Sequence, residues 1–355
     1  MSFLSNKKLP IFLYLSVILS FLVCNNLFAC TDFLLVNENK NVVVGRSMEF
    51  ATNLKSEIVL FPRKEKRVSI LDNKQKGLSW ISKYAYLAVT SFGLDLVADG
   101  MNEKGLSLGT LWFPGAKYPS VKAADLPNTI ALEEIGNWIL GNFATLDDLK
   151  QGLKKIHIYA KSLSQLKEVP PIHLSLHDRS GKSMVIEFID GKMQVIDNVV
   201  GVLTNTPKFE WHVTNLENYI NLSAIDKGRV VFDGTIINPT GQGSGLLGLP
   251  GDWTPPSRFV RIAIIKNFVK KTKTSDDNKN LAFHLLNTVD IPTGVVRSQN
   301  GKNFDYTQWV VVKDLSNKIF YYRTYKDLNI HMIDFAKEAK RLGAKKKKIP
   351  MIGAV

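Results

Sequence analysis

Cys30 is the residue whose position suggests chemistry, because it directly follows a segment with the features of a secretory leader. Lys7 and Lys8 supply the basic start, and an apolar run extends from Ile11 to Val23. That run is about 13 residues long, too short for a ~30 Å hydrocarbon core, so it predicts a leader rather than a membrane anchor. Leu27-Phe28-Ala29 then precede Cys30. Cleavage after Ala29 would give Cys30 a free α-amine beside its thiol.

A cysteine with a free α-amine carries a nucleophile and a base on one residue. An α-amine has a pKa of about 7.7–8.0, so part of it is unprotonated near neutral pH. A thiol with a pKa of about 8.5 becomes a good nucleophile once a neighbouring base removes its proton. A first cysteine also accepts the lipid of lipoproteins, and Leu27-Phe28-Ala29-Cys30 partly matches that motif. The leader alone therefore leaves a catalytic, a lipid-bearing and an inert cysteine open.

Length and composition are those of a globular protein with a substantial core. The chain has 355 residues, of which 45% are apolar and 22% charged, enough for one large domain or two smaller ones. The other cysteine, Cys24, lies in the leader, so no disulfide is expected in residues 30–355. No linker or repeat divides these residues, which we interpret as a single domain.

The formal net charge is +14, and part of the excess is concentrated near the C-terminus. A basic segment at about 337–348 is typical of a solvated tail or of a helix end stabilised by its dipole. Weak contact with an anionic membrane surface is the alternative for this tail. No nucleic-acid-binding module is recognisable, so a nucleic-acid partner is not expected. The basic residues are Lys337, Lys340, Arg341 and Lys345 to Lys348.

Apolar periodicity predicts strands, then helices, then strands again, which favours an α+β protein with two stacked sheets and helices outside. Thr145 followed by Asp148 is a helix-capping pattern. The predicted strands are Cys30–Val36, Val42–Phe50, Ile58–Pro62, Leu94–Ala98, Leu106–Leu111, His173–His177, Met184–Ile189, Met193–Ile196 and a hairpin over Trp309–Tyr325. The predicted helices are Ala131–Leu140, a segment after Thr145, Ser257–Phe268 and Asn278–Leu286.

Two other patterns do not predict a site. Gly243 to Gly248 match a dinucleotide-binding pattern by letters, but neither a strand before them nor a helix after them is predicted, so we interpret them as a loop. His173, Ser175 and His177 share one strand face, which we interpret as solvated. No metal site or cofactor is predicted, and a papain-like Cys–His pair stays formally open.

Five blocks stand in order along the chain: Cys30-Thr31-Asp32-Phe33, Gly45-Arg46-Ser47-Met48-Glu49-Phe50, Ala98 to Leu106, Gly201 to Pro207, and Leu249 to Trp253 through Ser257 to Arg261. Together they resemble the choloylglycine hydrolase family, within the N-terminal nucleophile hydrolases. The resemblance extends from Cys30 to about Tyr325 and implies a four-layer αββα sandwich of two antiparallel sheets.

The resemblance also implies roles for individual residues. Cys30 would supply the nucleophilic thiol and the basic α-amine, and Arg46 would favour the thiolate. Glu49 stands where the family usually has Asp, and would contact and orient the amine. Asn205 would donate its side-chain amide to the oxyanion, together with a backbone N–H near Trp112. Arg258 would complete the polar network.

Trp112 stands where bile acid hydrolases tend to carry Asn and penicillin V acylases Tyr, and would bind the acyl group. Trp112 and the predicted leader both resemble the Gram-negative branch of the family. Members of that branch are associated with penicillin V, N-acyl homoserine lactones and bile salts.

The resemblance therefore implies an exported enzyme, periplasmic or secreted, that hydrolyses a linear amide through a thioester on Cys30. Its expected partner is a small-molecule amide, and tetramers are common in this family. Two alternatives are kept. One is an acid ceramidase-like amidase that exposes its cysteine by self-cleavage. The other is a non-catalytic lipoprotein anchored through Cys30.

Overall fold

The computed structural model of the chain describes residues 29–354. The predicted leader lies outside these residues, apart from Ala29. Within the described part, no helix is both long enough and apolar enough to cross a bilayer.

Most of the described chain consists of strands. They are β1 (Cys30–Val36), β2 (Val42–Glu49), β3 (Glu57–Phe61), β4 (Lys66–Ile70), β5 (Lys76–Ile81), β6 (Tyr86–Ser91), β7 (Leu96–Asn102), β8 (Leu106–Trp112), β9 (Thr129–Ala131), β10 (His157–Tyr159), β11 (Ile172–Asp178), β12 (Ser183–Ile189), β13 (Lys192–Asp197), β14 (Val202–Leu203), β15 (Val230–Phe232), β16 (Thr235–Ile237), β17 (Val296–Arg297), β18 (Phe304–Asp305), β19 (Thr307–Asp314), β20 (Ile319–Thr324), β21 (His331–Asp334) and β22 (Lys347–Ile349). The helices are α1 (Ile135–Asn142), α2 (Leu146–Leu153), α3 (Phe209–Asn215), α4 (Pro255–Phe268), α5 (Ser275–Asn287) and α6 (Phe335–Arg341).

Two antiparallel sheets face each other and carry helices on their outer faces. The six-stranded sheet has the order β14-β1-β2-β19-β20-β21, and the eight-stranded sheet has the order β13-β12-β11-β8-β7-β6-β3-β22. Strand β1 contacts β8 across the interface, α4 and α5 pack on the six-stranded sheet, and α1 and α2 pack on the eight-stranded one. The expected α+β, four-layer αββα architecture is confirmed.

The hairpin of β1 and β2 determines which side chains face the interface between the sheets. Cys30 pairs with Met48 and Asp32 pairs with Arg46, so these four side chains share one face. That face is turned toward the eight-stranded sheet. The alternate positions, among them Thr31 and Glu49, are turned toward α4 and α5. One face of the hairpin therefore meets the eight-stranded sheet, and the other face meets the helices.

The predicted elements agree with the structure in type and differ at their ends. Strand β1 has the predicted bounds, and the Thr145 side chain accepts a hydrogen bond from the Asp148 N–H at the start of α2, as the capping pattern predicts. The helix predicted from Ala131 begins instead at Ile135, because residues 129–131 form the short strand β9. Among the elements that the pattern missed are the hairpin β4–β5, the strands β6 and β21, and the helices α3 and α6.

The basic C-terminal segment is folded onto the sandwich. Lys340 and Arg341 lie in the last turn of α6, which matches the helix-end interpretation. Residues 347–349 form β22 and pair with β3 at the edge of the eight-stranded sheet. Lys346 contacts Asp95, and Lys348 contacts Glu57 at 2.7 Å, so carboxylates on the same domain compensate part of this charge.

Gly45 provides a stability test of the face that packs toward the helices. A Cβ at Gly45 would lie 2.4 Å from Cζ of the buried Phe33 ring, directly opposite on β1. We expect Gly45→Ala to lower the free energy of unfolding by about 1–3 kcal/mol, because the ring must move within a packed core. Urea denaturation measures this difference.

Gly343→Ala is the matched control, because a Cβ there meets no atom within 4 Å. Equal stability of both variants and the wild type would contradict the packing explanation.

Candidate active site

Cys30 lies at the end of β1, buried between the two sheets with 2% of its surface exposed. Its Sγ is 3.4 Å from Nη2 of Arg46 and 3.7 Å from Sδ of Met48. These are the hydrogen-bond partners of the thiol among residues 29–354, and no histidine is one of them. The papain-like arrangement that the sequence left open is therefore not formed.

Arg46 is fully buried and belongs to a chain of charges between the sheets. Its Nη2 also donates to the Thr110 carbonyl at 2.6 Å, and its Nε lies 3.9 Å from Oδ2 of Asp99. Lys313 donates to the same Asp99 oxygen at 2.6 Å. Burial raises the pKa of Asp99 to about 6, although the charges of Lys313 and Arg46 oppose that rise. The negative charge nearest Arg46 is thus shared with a second cation.

Arg258 approaches Cys30 from the other face of the six-stranded sheet. Its Nη1 donates to the Cys30 carbonyl and, at 2.7 Å, to Oγ1 of Thr31, and its Nε donates to the Trp253 carbonyl at 2.9 Å. The guanidinium is wholly buried, and no carboxylate of the described residues lies within 4.0 Å of it. Burial lowers the pKa of Arg258, and the charges of Glu49 and Cys30 counter this effect.

Asn205 joins Cys30, Arg258 and the neighbouring sheet. Its Oδ1 accepts hydrogen bonds from the Cys30 N–H at 2.7 Å and from Nη2 of Arg258 at 2.8 Å. Its Nδ2 donates to the Trp112 carbonyl at 2.8 Å. The Cys30 nitrogen is the peptide nitrogen after Ala29, and it occupies the place of the α-amine in a chain that begins at Cys30. The side chain predicted to serve the oxyanion thus also fixes this nitrogen.

Glu49 differs from the expectation in its contacts. Its Oε1 accepts a hydrogen bond from Oγ1 of Thr307 at 2.9 Å, and the nitrogen of Cys30 bonds to Asn205 rather than to Glu49. The pairing of Glu49 with Thr307 explains this, since both side chains point toward the helices while the thiol points toward the other sheet. Burial raises the pKa of Glu49 to about 7 against the opposing charges of Arg258 and Arg46.

Asp305 is a second buried carboxyl at this site, which the sequence analysis missed. Only 3% of its surface is exposed, and neither side-chain oxygen has a hydrogen-bond partner within residues 29–354. Burial raises its pKa to about 7, and the charge of Arg258 acts against that rise. A lone Asp in a polar stretch gives no sequence signal, because its burial depends on the β17–β18 hairpin.

The solvated interpretation of His173, Ser175 and His177 is wrong, since all three side chains are fully buried. Nε2 of His177 is 2.6 Å from Oδ1 of Asp32, and Ser175 donates to the same oxygen at 2.7 Å. Burial acts to raise the pKa of Asp32, but mainly the charge and hydrogen bond of His177 hold it down at about 2. The polar face of β11 points into the sandwich, where it meets the polar face of β1.

An apolar pocket of about 680 Å³, including its open mouth, is lined in part by Met48, whose sulfur contacts the Cys30 thiol. Thr110, whose carbonyl accepts a hydrogen bond from Arg46, also lines it. The Trp112 ring meets the Phe50 ring edge-on at a centroid distance of 5.8 Å. Hydrophobic side chains supply most of the remaining wall, among them Phe92, Leu96, Val97, Leu132, Ile135, Leu163, Leu166 and Ile172. Trp112 is therefore a wall of this pocket.

The described residues contain no group of three or more metal-ligating side chains with metal-binding geometry. Cys30 therefore has one guanidinium at its thiol, a second at its backbone carbonyl and an amide side chain at its backbone nitrogen.

Comparisons with known proteins agree with this fold. A conjugated bile acid hydrolase from Clostridium perfringens, solved as a mutant, superposes with a TM-score of 0.81 at 31% identity, over 92% of this chain and 98% of that one. Penicillin V acylase from Agrobacterium tumefaciens superposes with a TM-score of 0.75 at 25% identity, over 90% and 91% of the two chains. The fold is thus that of the N-terminal nucleophile hydrolases.

Sequence comparison identifies the family. The profile of the linear amide C–N hydrolases, choloylglycine hydrolase family, matches residues 30–345. A bile salt hydrolase/transferase of Clostridium perfringens is 35% identical over 314 residues, covering 87% of this chain and 93% of its own. A penicillin V acylase of Pectobacterium atrosepticum is 28% identical over 331 residues, covering 87% and 81%. The chain belongs to the choloylglycine hydrolase family and is an enzyme that hydrolyses linear amides.

The raised pKa of Asp305 predicts a pH dependence of stability. The carboxyl of Asp305 has a pKa of about 7 in the native state and an ordinary pKa of about 3.9 in the unfolded chain. At pH values between these two, Asp305 is protonated in the native state and ionised in the unfolded chain. The free energy of unfolding therefore falls as the pH rises through this window. We expect Asp305→Asn to reduce that fall by on the order of 3 kcal/mol. Urea denaturation at pH 5 and pH 8 tests this.

The exposed Asp233→Asn is the control and should leave the difference between the two pH values unchanged. An unchanged pH dependence in Asp305→Asn would show that Asp305 is already ionised in the native state at pH 5.

Proposed function

We propose that the active form begins at Cys30 and hydrolyses its amide substrate through a thioester on this residue. The observation that carries the proposal is the position of Cys30, whose sulfur lies 3.4 Å from the Arg46 guanidinium while its nitrogen lies 2.7 Å from Oδ1 of Asn205. One residue thus presents a thiol beside a guanidinium and a fixed nitrogen inside a buried site. Removal of residues 1–29 during export would convert that nitrogen from an amide into an amine.

The reaction then follows from these groups. The α-amine takes the thiol proton, and the sulfur forms a bond to the amide carbon, giving a tetrahedral oxyanion. As the C–N bond breaks, the ammonium returns the proton to the leaving nitrogen. Water, deprotonated by the same amine, attacks the thioester and releases the acid and the free thiol. No second base is needed, because the amine alternates between base and acid.

Two features of the site favour the negative charge that develops in this reaction. Arg46 lies beside the sulfur, where a buried guanidinium stabilises a thiolate. Asn205 carries two N–H groups on its amide, of which one contacts Trp112, so the other can serve the oxyanion. Preorganised donors of this kind usually make the largest contribution to transition-state stabilisation, about 2.7–4 kcal/mol each.

The apolar pocket supports a substrate with an apolar acyl group. Of its polar lining residues, Glu133 is already paired with Lys161 at 3.0 Å. A hydroxylated acyl group would leave its hydroxyls poorly partnered in such a wall, which costs binding energy. We therefore propose an aryl or alkyl acyl group, as in penicillin V or an N-acyl homoserine lactone, rather than a hydroxylated bile acid.

Cys30→Ser is the direct test of the mechanism. We expect the processed variant to lose more than roughly 10³-fold in kcat, because the nucleophile is replaced. Acid quenching of the wild type during turnover should trap an adduct with the mass of the acyl group on the peptide that begins at Cys30. Equal turnover by the variant and the wild type, or no adduct, would contradict the proposal.

The state of the N-terminus separates the remaining alternatives. Intact mass of the exported protein should show a free Cys30, whereas a lipoprotein would carry a diacylglyceryl group there. Processing of Cys30→Ala distinguishes the route of exposure. A leader peptidase would still cut this variant after Ala29, but a self-cleaving amidase would leave the precursor intact.

Leu96→Gln tests the acyl pocket. Leu96 is half-buried at the pocket wall. We expect this variant to have a KM for penicillin V roughly 10-fold higher than the wild type and a kcat that changes little. The reason is that the pocket contact is lost in the ground state and in the transition state alike. Initial rates over a substrate series measure both constants. Leu94→Gln, outside the pocket on the preceding loop, is the control. An equal change of KM in both variants would contradict the assignment of this pocket to the acyl group.

A further inference from the structure

His212 is a buried histidine that the proposed reaction does not use. It lies in α3, none of its surface is exposed, and its ring stacks on Phe259 at a centroid distance of 4.7 Å. Its Nε2 is 2.9 Å from the backbone carbonyl oxygen of Asn205. A carbonyl oxygen only accepts hydrogen bonds, so Nε2 carries the proton and donates it. The imidazole therefore holds the backbone of the residue whose amide contacts Cys30.

A second histidine, His173, contacts the backbone carbonyl of Thr204, the residue before Asn205. Nε2 of His173 lies 2.9 Å from the carbonyl oxygen of Thr204, and its Nδ1 lies 3.0 Å from Oε1 of Glu187. That same Glu187 oxygen accepts from the N–H of Phe209, the first residue of α3. Two side chains from different elements thus donate to two consecutive carbonyls.

These contacts matter because Asn205 lies outside the sheet. Strand β14 ends at Leu203, and α3 begins at Phe209, so the intervening segment has no ladder to fix its backbone. The Asn205 side chain nevertheless makes three hydrogen bonds, to Cys30, Arg258 and Trp112. The direction of the Asn205 side chain depends on the position of the Asn205 backbone.

We propose that His212 is a positioning residue, which acts through the Asn205 carbonyl to keep the Asn205 amide directed at Cys30 and the oxyanion. The proposal rests on the proposed function, because it assigns Asn205 to the reacting centre. Burial lowers the pKa of His212 to about 4, so the ring is neutral near pH 7. Its other nitrogen, Nδ1, is buried without a hydrogen-bond partner in the described residues. Within residues 29–354, the hydrogen bond to Asn205 is therefore the one hydrogen bond of the ring.

A pair of substitutions separates this role from packing. Glutamine places an amide nitrogen near the position of Nε2 and keeps the donor, whereas leucine fills similar space without a donor. We expect His212→Leu to lower kcat and the single-turnover rate of acyl-enzyme formation by roughly 10–100-fold with little change in KM, since a displacement near 1 Å has that effect. His212→Gln should stay within about three-fold of the wild type. The substrate is penicillin V, and trapped acyl-Cys30 is measured by mass.

The exposed His284 on α5 supplies the matched controls, His284→Leu and His284→Gln, which should behave as the wild type. A thermal unfolding curve establishes that each variant is folded. If His212→Leu does not fold, His212→Asn replaces it. The shorter Asn amide does not reach the carbonyl and should lose activity where Gln retains it.

The outcomes distinguish this inference from the proposed function. Absence of any acyl adduct on wild-type Cys30 would overturn the proposed function, and the inference with it. An adduct that forms equally fast in wild type and in folded His212→Leu, or in Asn and Gln variants alike, would overturn the inference alone. Equal loss in Gln and Leu variants would also overturn it, because the donor would then not matter.

Discussion

The constraint on which this structure depends is the burial of two guanidiniums around one thiol. Arg46 and Arg258 are both fully buried, and each contacts a different atom of Cys30. An isolated charge inside a protein is very costly, so each guanidinium requires hydrogen-bond acceptors and opposing charge nearby. The sandwich meets that requirement differently on the two faces of the six-stranded sheet. Between the two sheets, Arg46 has the Thr110 carbonyl as an acceptor and Asp99 as an opposing charge.

The two guanidiniums are neutralised in different ways. Arg46 and Lys313 share Asp99, and Asp32, whose pKa is held at about 2, acts on both cations from the same interface. Arg258 bonds to neutral acceptors, with the carboxyl groups of Glu49 and Asp305 farther away. Burial raises the pKa of each of these two carboxyls to about 7, so Arg258 is the less completely compensated guanidinium near neutral pH. In the proposed reaction, fixed donors would accept a developing oxyanion without reorganising.

Local sequence patterns predicted most of the elements, but not the direction of buried polar faces. Apolar runs and the hairpin turn predicted β1 and β2, and the family resemblance predicted Arg46, Asn205 and Arg258, which the structure brings into contact with Cys30. The alternation in β11 placed His173 and His177 on one polar face, yet a polar face looks the same in sequence whether it meets water or another polar strand. Only the pairing of the two sheets, a long-range property, determines that this face is buried. Asp305 was missed for a different reason, since a lone Asp in a polar stretch carries no signal and the β17–β18 hairpin was not predicted.

The alternation of side chains along β2 also explains why the sequence position of Glu49 does not by itself predict its contacts. Arg46 and Met48 point toward the eight-stranded sheet, so Glu49 must point toward the helices, where Thr307 meets it. The thiol and this carboxyl therefore lie on opposite faces of the sheet. On the helix side, the largest charge that acts on Glu49 is that of Arg258, which contacts the backbone carbonyl of Cys30 rather than its sulfur. With a pKa of about 7, Glu49 changes charge close to the pH range of an ordinary α-amine. The extra methylene relative to Asp therefore changes the side of the sheet that holds Arg258 and the Cys30 backbone, not the side that holds the sulfur.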